Sequence, residues 1–180
     1  IPVISLYGEH RRPTPAMLAG LDVVLFDLQD VGCRIYTYIT TLKYFLQACA
    51  TADVDLWVLD RPNPAGRPVD GLRLQPGEES FVGCDTLPTR HGLTVGELAN
   101  WLVATNGIHV NLTVINMTDY APDRAPGYGW PYFERPWVNP SPNASSLNMS
   151  RCFAGTVLLE GTHLSEGRGT TVPLEIIGAP

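Results

Sequence analysis

Residues 23–49 read VVLFDLQDVGCRIYTYITTLKYFLQAC, and this stretch decides the fold class. Val23, Val24, Leu25 and Phe26 form an apolar run without polar alternation, the pattern of a strand buried on both faces of a parallel sheet. Beyond it, Ile35, Ile39, Leu42, Leu46 and Cys49 recur at three- and four-residue steps. Tyr38 and Phe45 widen the same stripe, which predicts an amphipathic helix. A strand feeding a helix is the first half of a βαβ unit.

The pattern repeats on both sides of this unit. Val3–Tyr7 and Leu56–Leu59 read as further strands. Thr14 followed by Pro15 predicts a short capped helix, because Pro lacks the N–H that a first helical residue does not use. Thr94 and Glu97 form a capping-box pair that opens a helix with Val95, Leu98, Ala99, Leu102 and Val103 on its apolar face. Asn106-Gly107 ends that helix. Val110, Leu112 and Val114 alternate with polar residues and predict a half-exposed strand near a sheet edge. Thr156–Leu159 and Pro173–Ile177 complete the expected strands. The fold class is α/β, with a mostly parallel sheet and helices on both faces. Two stretches lack periodicity: the Gly- and Pro-rich segment Arg61–His91, and the loop Tyr120–Pro142 with its aromatics Tyr120, Tyr128, Trp130, Tyr132, Phe133 and Trp137. A loop of that length is functional or a packed cover.

At 180 residues the chain supports one domain with a sizeable core. A net charge of −6 and no Lys/Arg-rich run argue against a nucleic-acid partner. No apolar stretch reaches the roughly 20 residues of a membrane span. The scattered Cys33, Cys49, Cys84 and Cys152 show no CxxC pairing, so structural zinc is not expected. No GxGxxG follows a strand and no phosphate-cradling loop with its Lys appears, so no nucleotide or other cofactor is expected. GxSxG and HExxH are absent as well.

Ligands of open α/β sheets bind beyond the carboxyl ends of the strands, and the polar clusters of this sequence follow strand candidates. Asp27 and Asp30 precede Gly32, which permits a turn that a Cβ would hinder, and Arg34 at the start of the next helix can pair with a carboxylate or hold an anionic group. A structural Asp–Arg bridge is the competing reading. Tyr36 follows in the same cluster. Asp60, Arg61 and Asn63 form a rigid turn in which Asp60 accepts sugar hydroxyls or caps Asn63. His91 precedes a helix N-terminus, and Asn143 either meets a ligand amide or caps the helix after it. Glu160 and the loop Ser165–Thr170 close the set, with Glu166 the favoured catalytic carboxylate, Asp30 its partner, and Arg168 tuning the charge of Glu166. Two carboxyl groups flanking a sugar bond serve as acid and as base or nucleophile.

Several of these segments occur together, in order, in one family. Ser5-Leu6-Tyr7-Gly8, the run Asp27–Tyr38, Leu59-Asp60-Arg61-Pro62-Asn63-Pro64, Arg90-His91-Gly92-Leu93-Thr94, Pro140-Ser141-Pro142-Asn143 and Leu159–Thr171 span almost the whole chain. The chain resembles the exo-lytic β-N-acetylmuramidases. That resemblance implies a Rossmann-like domain over residues 1–180, truncated at its N-terminus, with a smaller C-terminal domain absent. It implies release of terminal N-acetylmuramic acid from the non-reducing end of peptidoglycan fragments, with muropeptides or disaccharides as partners and no metal or nucleotide. It further implies a segment upstream of Ile1 that carries a Pro-Glu-His-Gly-type motif, and a periplasmic or secreted location follows from the substrate. Both ends of the chain read as cuts through a longer protein. A non-catalytic cell-wall saccharide-binding domain and a nucleotide-dependent sugar transferase are the alternative readings.

Overall fold

The computed structural model describes residues 2–122, 130 and 135–180, so Tyr128, Tyr132 and Phe133 of the aromatic loop lie outside the described residues. Three parallel strands form the main sheet: β1 (Val23–Phe26), β2 (Asp55–Leu59) and, after the segments below, Leu112–Ile115, in the order β1, β2, Leu112–Ile115. Val24 pairs with Leu56 and Leu56 with Leu112, while Phe26 pairs with Val58 and Val58 with Val114. Side chains alternate across a strand, so this register puts all six on one face. On that face lie the helices α1 (Pro15–Leu18), α2 (Tyr38–Ala52) and α3 (Val95–Asn106), whose Leu18, Ile39, Leu42, Leu46, Leu98 and Leu102 form one apolar core with it. The strand at Leu112–Ile115, hereafter β5, is an edge, as its alternation predicts.

Between β2 and α3 the irregular Gly/Pro segment holds a small antiparallel pair, β3 (Asp70–Arg73) and β4 (Pro88–Arg90). An isolated bridge from Cys33 to Arg90 ties this pair to the loop after β1. Local chemistry explains the helix ends. Thr94 Oγ1 accepts the Glu97 N–H and Glu97 Oε2 accepts the Thr94 N–H, a reciprocal capping box, and Gly107 takes the left-handed conformation that closes α3.

Several expected elements differ. Val3–Tyr7 is not a strand: the segment is exposed and has no neighbouring strand among the described residues. β1 is not buried on both faces, since Leu25 is 58% exposed, because no helix of the described residues covers its side of the sheet. Arg34 and Ile35 precede α2 instead of opening it, held in turns by the Cys33–Arg90 bridge. Thr156–Leu159 is helical, the end of α4 (Leu147–Thr156) and a following 3₁₀ turn (Val157–Gly161). Ser146 caps α4 and its apolar residues recur as Leu147, Met149, Phe153 and Val157. Pro173–Ile177 forms no strand because Leu174 sits at φ 65°, which breaks an extended run. α4 packs with Val31, Cys33, Ala144 and Leu174 as a second apolar cluster beside the carboxyl ends of the strands. No helix of the described residues is long and apolar enough to cross a membrane.

Candidate active site

The loops after β1 and β2 are braced against each other, and that brace places the first polar group. Gly32 has φ 79°, and a Cβ there would lie 2.3 Å from Asn63 Oδ1 and 2.6 Å from the Ala65 Cβ. Only Gly fits so close an approach. Asn63 in turn donates to the Leu93 carbonyl and accepts the Ala65 N–H, each at 2.9 Å. Gln29 Nε2 donates to the carbonyls of Asp30 and Pro62.

Inside this brace, Asp30 is only 4% exposed. Its Oδ2 accepts the Gly32 N–H at 2.7 Å and lies 3.2 Å from His91 Nε2. His91 Nδ1 accepts the Leu93 N–H at 3.1 Å, so the proton of a neutral imidazole sits on Nε2 and points at Asp30. Asp30 Oδ1 is buried and makes no hydrogen bond among the described residues, although Oδ2 of the same carboxylate is fixed. Cys33, buried beside it, has its thiol pushed up to about 12, first by burial and further by the Asp30 charge.

The second polar group sits on the loop after the 3₁₀ turn. Arg168 Nε donates to Glu166 Oε1 at 2.6 Å, and Arg168 Nη2 pairs with Glu160. Burial opposes the charge on Arg168, yet its two carboxylate partners outweigh this and raise its pKa. Glu166 is 7% exposed while Arg168 reaches the surface. Its Nη1 makes no hydrogen bond among the described residues, leaving one edge of the guanidinium for an anion.

A hollow of about 390 Å³ is walled by Tyr36, Tyr38, Asn143, Met149, Phe153 and Arg168; Asp30, His91 and Glu166 do not line it. Val31, next to Asp30, and Leu174, whose N–H bonds the Glu166 carbonyl at 2.6 Å, both line it. Tyr36 and Tyr38 lie with ring centroids 4.7 Å apart, and Phe153 meets Tyr36 edge-on at 6.3 Å. Tyr38 Oη donates to the Pro140 carbonyl at 2.9 Å, and this contact divides the hollow from a second one of about 290 Å³. Asp27, Arg61, Trp130 and Arg135 line the second. There Arg61 grips Asp27 at 2.6 Å, joining the ends of β1 and β2.

Asp60 and Arg34 stand apart from the main hollow. Asp60 is committed to the N-terminus of α3: Oδ1 accepts the N–H groups of Arg61 and Gly96, and Oδ2 accepts Thr94 Oγ1 at 3.0 Å. Arg34 makes no ion pair among the described residues; its side chain lies against Gly83 on the β3–β4 side. Asn143 lines the main hollow but does not cap α4, a role taken by Ser146. Met149 and Phe153 were not singled out in the sequence, although their spacing with Leu147 and Val157 marks a helical stripe.

Comparison with known proteins places this arrangement. The profile described as exo-β-N-acetylmuramidase NamZ, N-terminal, matches residues 1–148, and that described as exo-β-N-acetylmuramidase NamZ, C-terminal, matches residues 151–180. The chain is 43% identical over 181 residues to the peptidoglycan β-N-acetylmuramidase NamZ of Bacillus subtilis (strain 168), covering all of this chain and 43% of that protein. Crystal structures of two DUF1343-family proteins from Bacteroides fragilis NCTC 9343 superpose with TM-scores of 0.87 and 0.82 at 36% and 35% identity. They match 98% and 92% of this chain but 46% of each neighbour. The chain therefore spans less than half the length of the relatives it matches. With both profiles matched in order and this identity along its whole length, the chain belongs to the exo-β-N-acetylmuramidase family.

Proposed function

We propose that this chain carries part of the active site of an exo-β-N-acetylmuramidase that removes terminal N-acetylmuramic acid from peptidoglycan fragments. The observation that carries this reading is the pairing of Glu166 with Arg168 at the rim of an aromatic-lined hollow beyond the strand ends. Aromatic walls suit the apolar faces of a sugar ring, and the open edge of Arg168 suits the lactyl carboxylate of muramic acid.

In this reading Glu166 is one catalytic carboxyl and Asp30, with His91 behind it, is the other. One carboxyl group gives a proton to the leaving glycosidic oxygen as the C–O bond breaks. The other either activates the attacking water or attacks the anomeric carbon itself, forming a glycosyl ester that water then hydrolyses. Tyr36, Asn143 and Glu160 meet the substrate, and Asp27 with Arg61 forms the floor of the adjoining hollow. Asp60, Asn63 and Arg34 position the loops that present these groups. Residues 1–180 act as one unit in this proposal, because the second apolar cluster joins Val31 and Ala144 to Phe153 and Leu174.

The test is hydrolysis of a chromogenic N-acetylmuraminide by the longer protein with no nucleotide added. Release of the chromophore is the expected result. Binding without cleavage would favour the saccharide-binding reading, and a strict nucleotide requirement would favour a transferase.

A further inference from the structure

Two carboxylates hold Arg168, and their grips are unequal. Nε donates to Glu166 Oε1 at 2.6 Å, and Glu166 is buried. Nη2 pairs with Glu160, whose side chain is 47% exposed. The backbone repeats this contrast. Ser165 and Gly178 exchange hydrogen bonds, and the Glu166 carbonyl accepts the Leu174 N–H, so the loop carrying Glu166 and Arg168 is pinned. A Cβ on Gly167 would lie 2.6 Å from Ile176 Cγ1, which shows how closely that loop is packed. Glu160 instead sits in the 3₁₀ turn Val157–Gly161, and among the described residues its carboxylate accepts a hydrogen bond from Arg168 alone. An ion pair this exposed contributes little to stability, because water solvates both charges when they part.

Arg168 also lines the main hollow. A guanidinium binds a carboxylate best through two parallel N–H bonds. With Nε taken by Glu166, a carboxylate entering the hollow has the Nη1 and Nη2 edge left to it. Nη1 makes no hydrogen bond among the described residues, but Nη2 is occupied by Glu160. The incoming carboxylate and Glu160 therefore compete for one atom. We infer that Glu160 is an exchangeable counter-ion, which fills the Nη2 position of Arg168 in the empty site and is displaced by the carboxylate of the ligand. The inference rests on the reading of Arg168 as the seat of the lactyl carboxylate, and adds what holds that seat before the ligand arrives. Its consequence is selectivity. A neutral ligand group gains nothing by breaking the Glu160 pair, whereas a carboxylate replaces one ion pair with a two-pronged one. Glu160 acts on which ligand is bound, and Glu166 stays on Nε throughout.

The experiment uses the longer protein and two sugars that differ by the lactyl ether, N-acetylmuramic acid and N-acetylglucosamine, titrated by calorimetry. Wild type should prefer N-acetylmuramic acid. Glu160→Ala should tighten N-acetylmuramic acid binding by roughly twofold to fivefold and leave N-acetylglucosamine unchanged. In the wild type, the ¹³C-carboxyl resonance of Glu160, assigned by its loss in Glu160→Ala, should move on adding N-acetylmuramic acid and stay in place with N-acetylglucosamine. Weaker or unchanged binding of N-acetylmuramic acid by Glu160→Ala, an equal change for both sugars, or a Glu160 resonance indifferent to N-acetylmuramic acid would overturn the assignment. Cleavage of the chromogenic N-acetylmuraminide is scored separately. A Glu160-dependent preference without cleavage would sink the enzymatic reading and keep the counter-ion, whereas cleavage without that preference would do the reverse.

Discussion

Arg168 lies between Glu160 and Glu166, and the chemistry of the site turns on what each of these side chains touches. A carboxyl group that acts on the transition state affects turnover more than binding. Glu166→Gln keeps the shape and one acceptor for Arg168, so it should lower kcat of the longer enzyme by at least roughly 100-fold with little change in Tm. Steady-state kinetics with a chromogenic muraminide and a thermal melt check this. Near-normal turnover would leave Glu166 a structural partner of Arg168. Arg168→Ala should instead raise KM for the muraminide more than for an N-acetylglucosaminide, which lacks the lactyl carboxylate. Gly32 gives a structural counterpart. Gly32→Ala forces a Cβ into Asn63 at a left-handed φ, which should cost about 1–3 kcal/mol by denaturant unfolding.

Among the elements, α3 joins stability to the site, because its N-terminus is held by Thr94, Glu97 and Asp60. Thr94→Ala removes the cap and one partner of Asp60, and should lower stability by about 1 kcal/mol. Burial alone would raise the Glu97 pKa, but hydrogen bonds from Arg67 and the Thr94 backbone hold it below its ordinary 4.5. A carboxylate with a depressed folded pKa adds stability above its unfolded pKa and loses it as pH falls through the folded value. The stability gap between wild type and Glu97→Gln should therefore be full at neutral pH and shrink below about pH 4.5, as read by urea melts at several pH values. An unchanged gap in acid would mean that the carboxylate charge is irrelevant to the cap. α4 shows how an element escapes a sequence reading. Thr156–Leu159 is β-branched and apolar enough for a strand, yet Thr156 Oγ1 bonds back to the Cys152 carbonyl and Ser146 caps the helix start.

At the scale of the whole molecule, the sheet has one covered face and, among the described residues, one bare face. Val23, Leu25, Trp57 and Ile115 are exposed on the side away from α2 and α3. Parallel sheets are stable when both faces are covered, and a contiguous apolar patch on water drives association. Residues 1–180 in isolation should therefore self-associate as concentration rises, and Leu25→Lys should reduce this in sedimentation velocity. A strictly monomeric wild type at high concentration would count against the bare face being sticky. The same chain in isolation should bind muropeptides weakly and turn over little, whereas the longer protein should cleave. Full turnover by residues 1–180 would show that no further segment is needed to complete the site.

Local signals settled much of this protein from the sequence alone. The period-3.6 stripe of α2, the Thr94–Glu97 cap and the Gly107 stop depend on residues within a few positions of one another, where propensity and spacing act directly. The sequence also put Asp30 in the loop after β1, but Glu166 and Arg168, expected after a strand, follow a helix and a 3₁₀ turn. What only the tertiary structure decided involves partners far apart in the chain. Asp60 belongs to the α3 cap because Thr94 and Gly96 arrive 34 and 36 residues later. Arg34 faces Gly83, and Asp30 pairs with His91 across 61 residues. Tyr36, Phe153 and Arg168 share one hollow because α4 packs on the loop after β1. A side chain's local sequence constrains its backbone, but its contacts depend on which distant surfaces the packing brings to it.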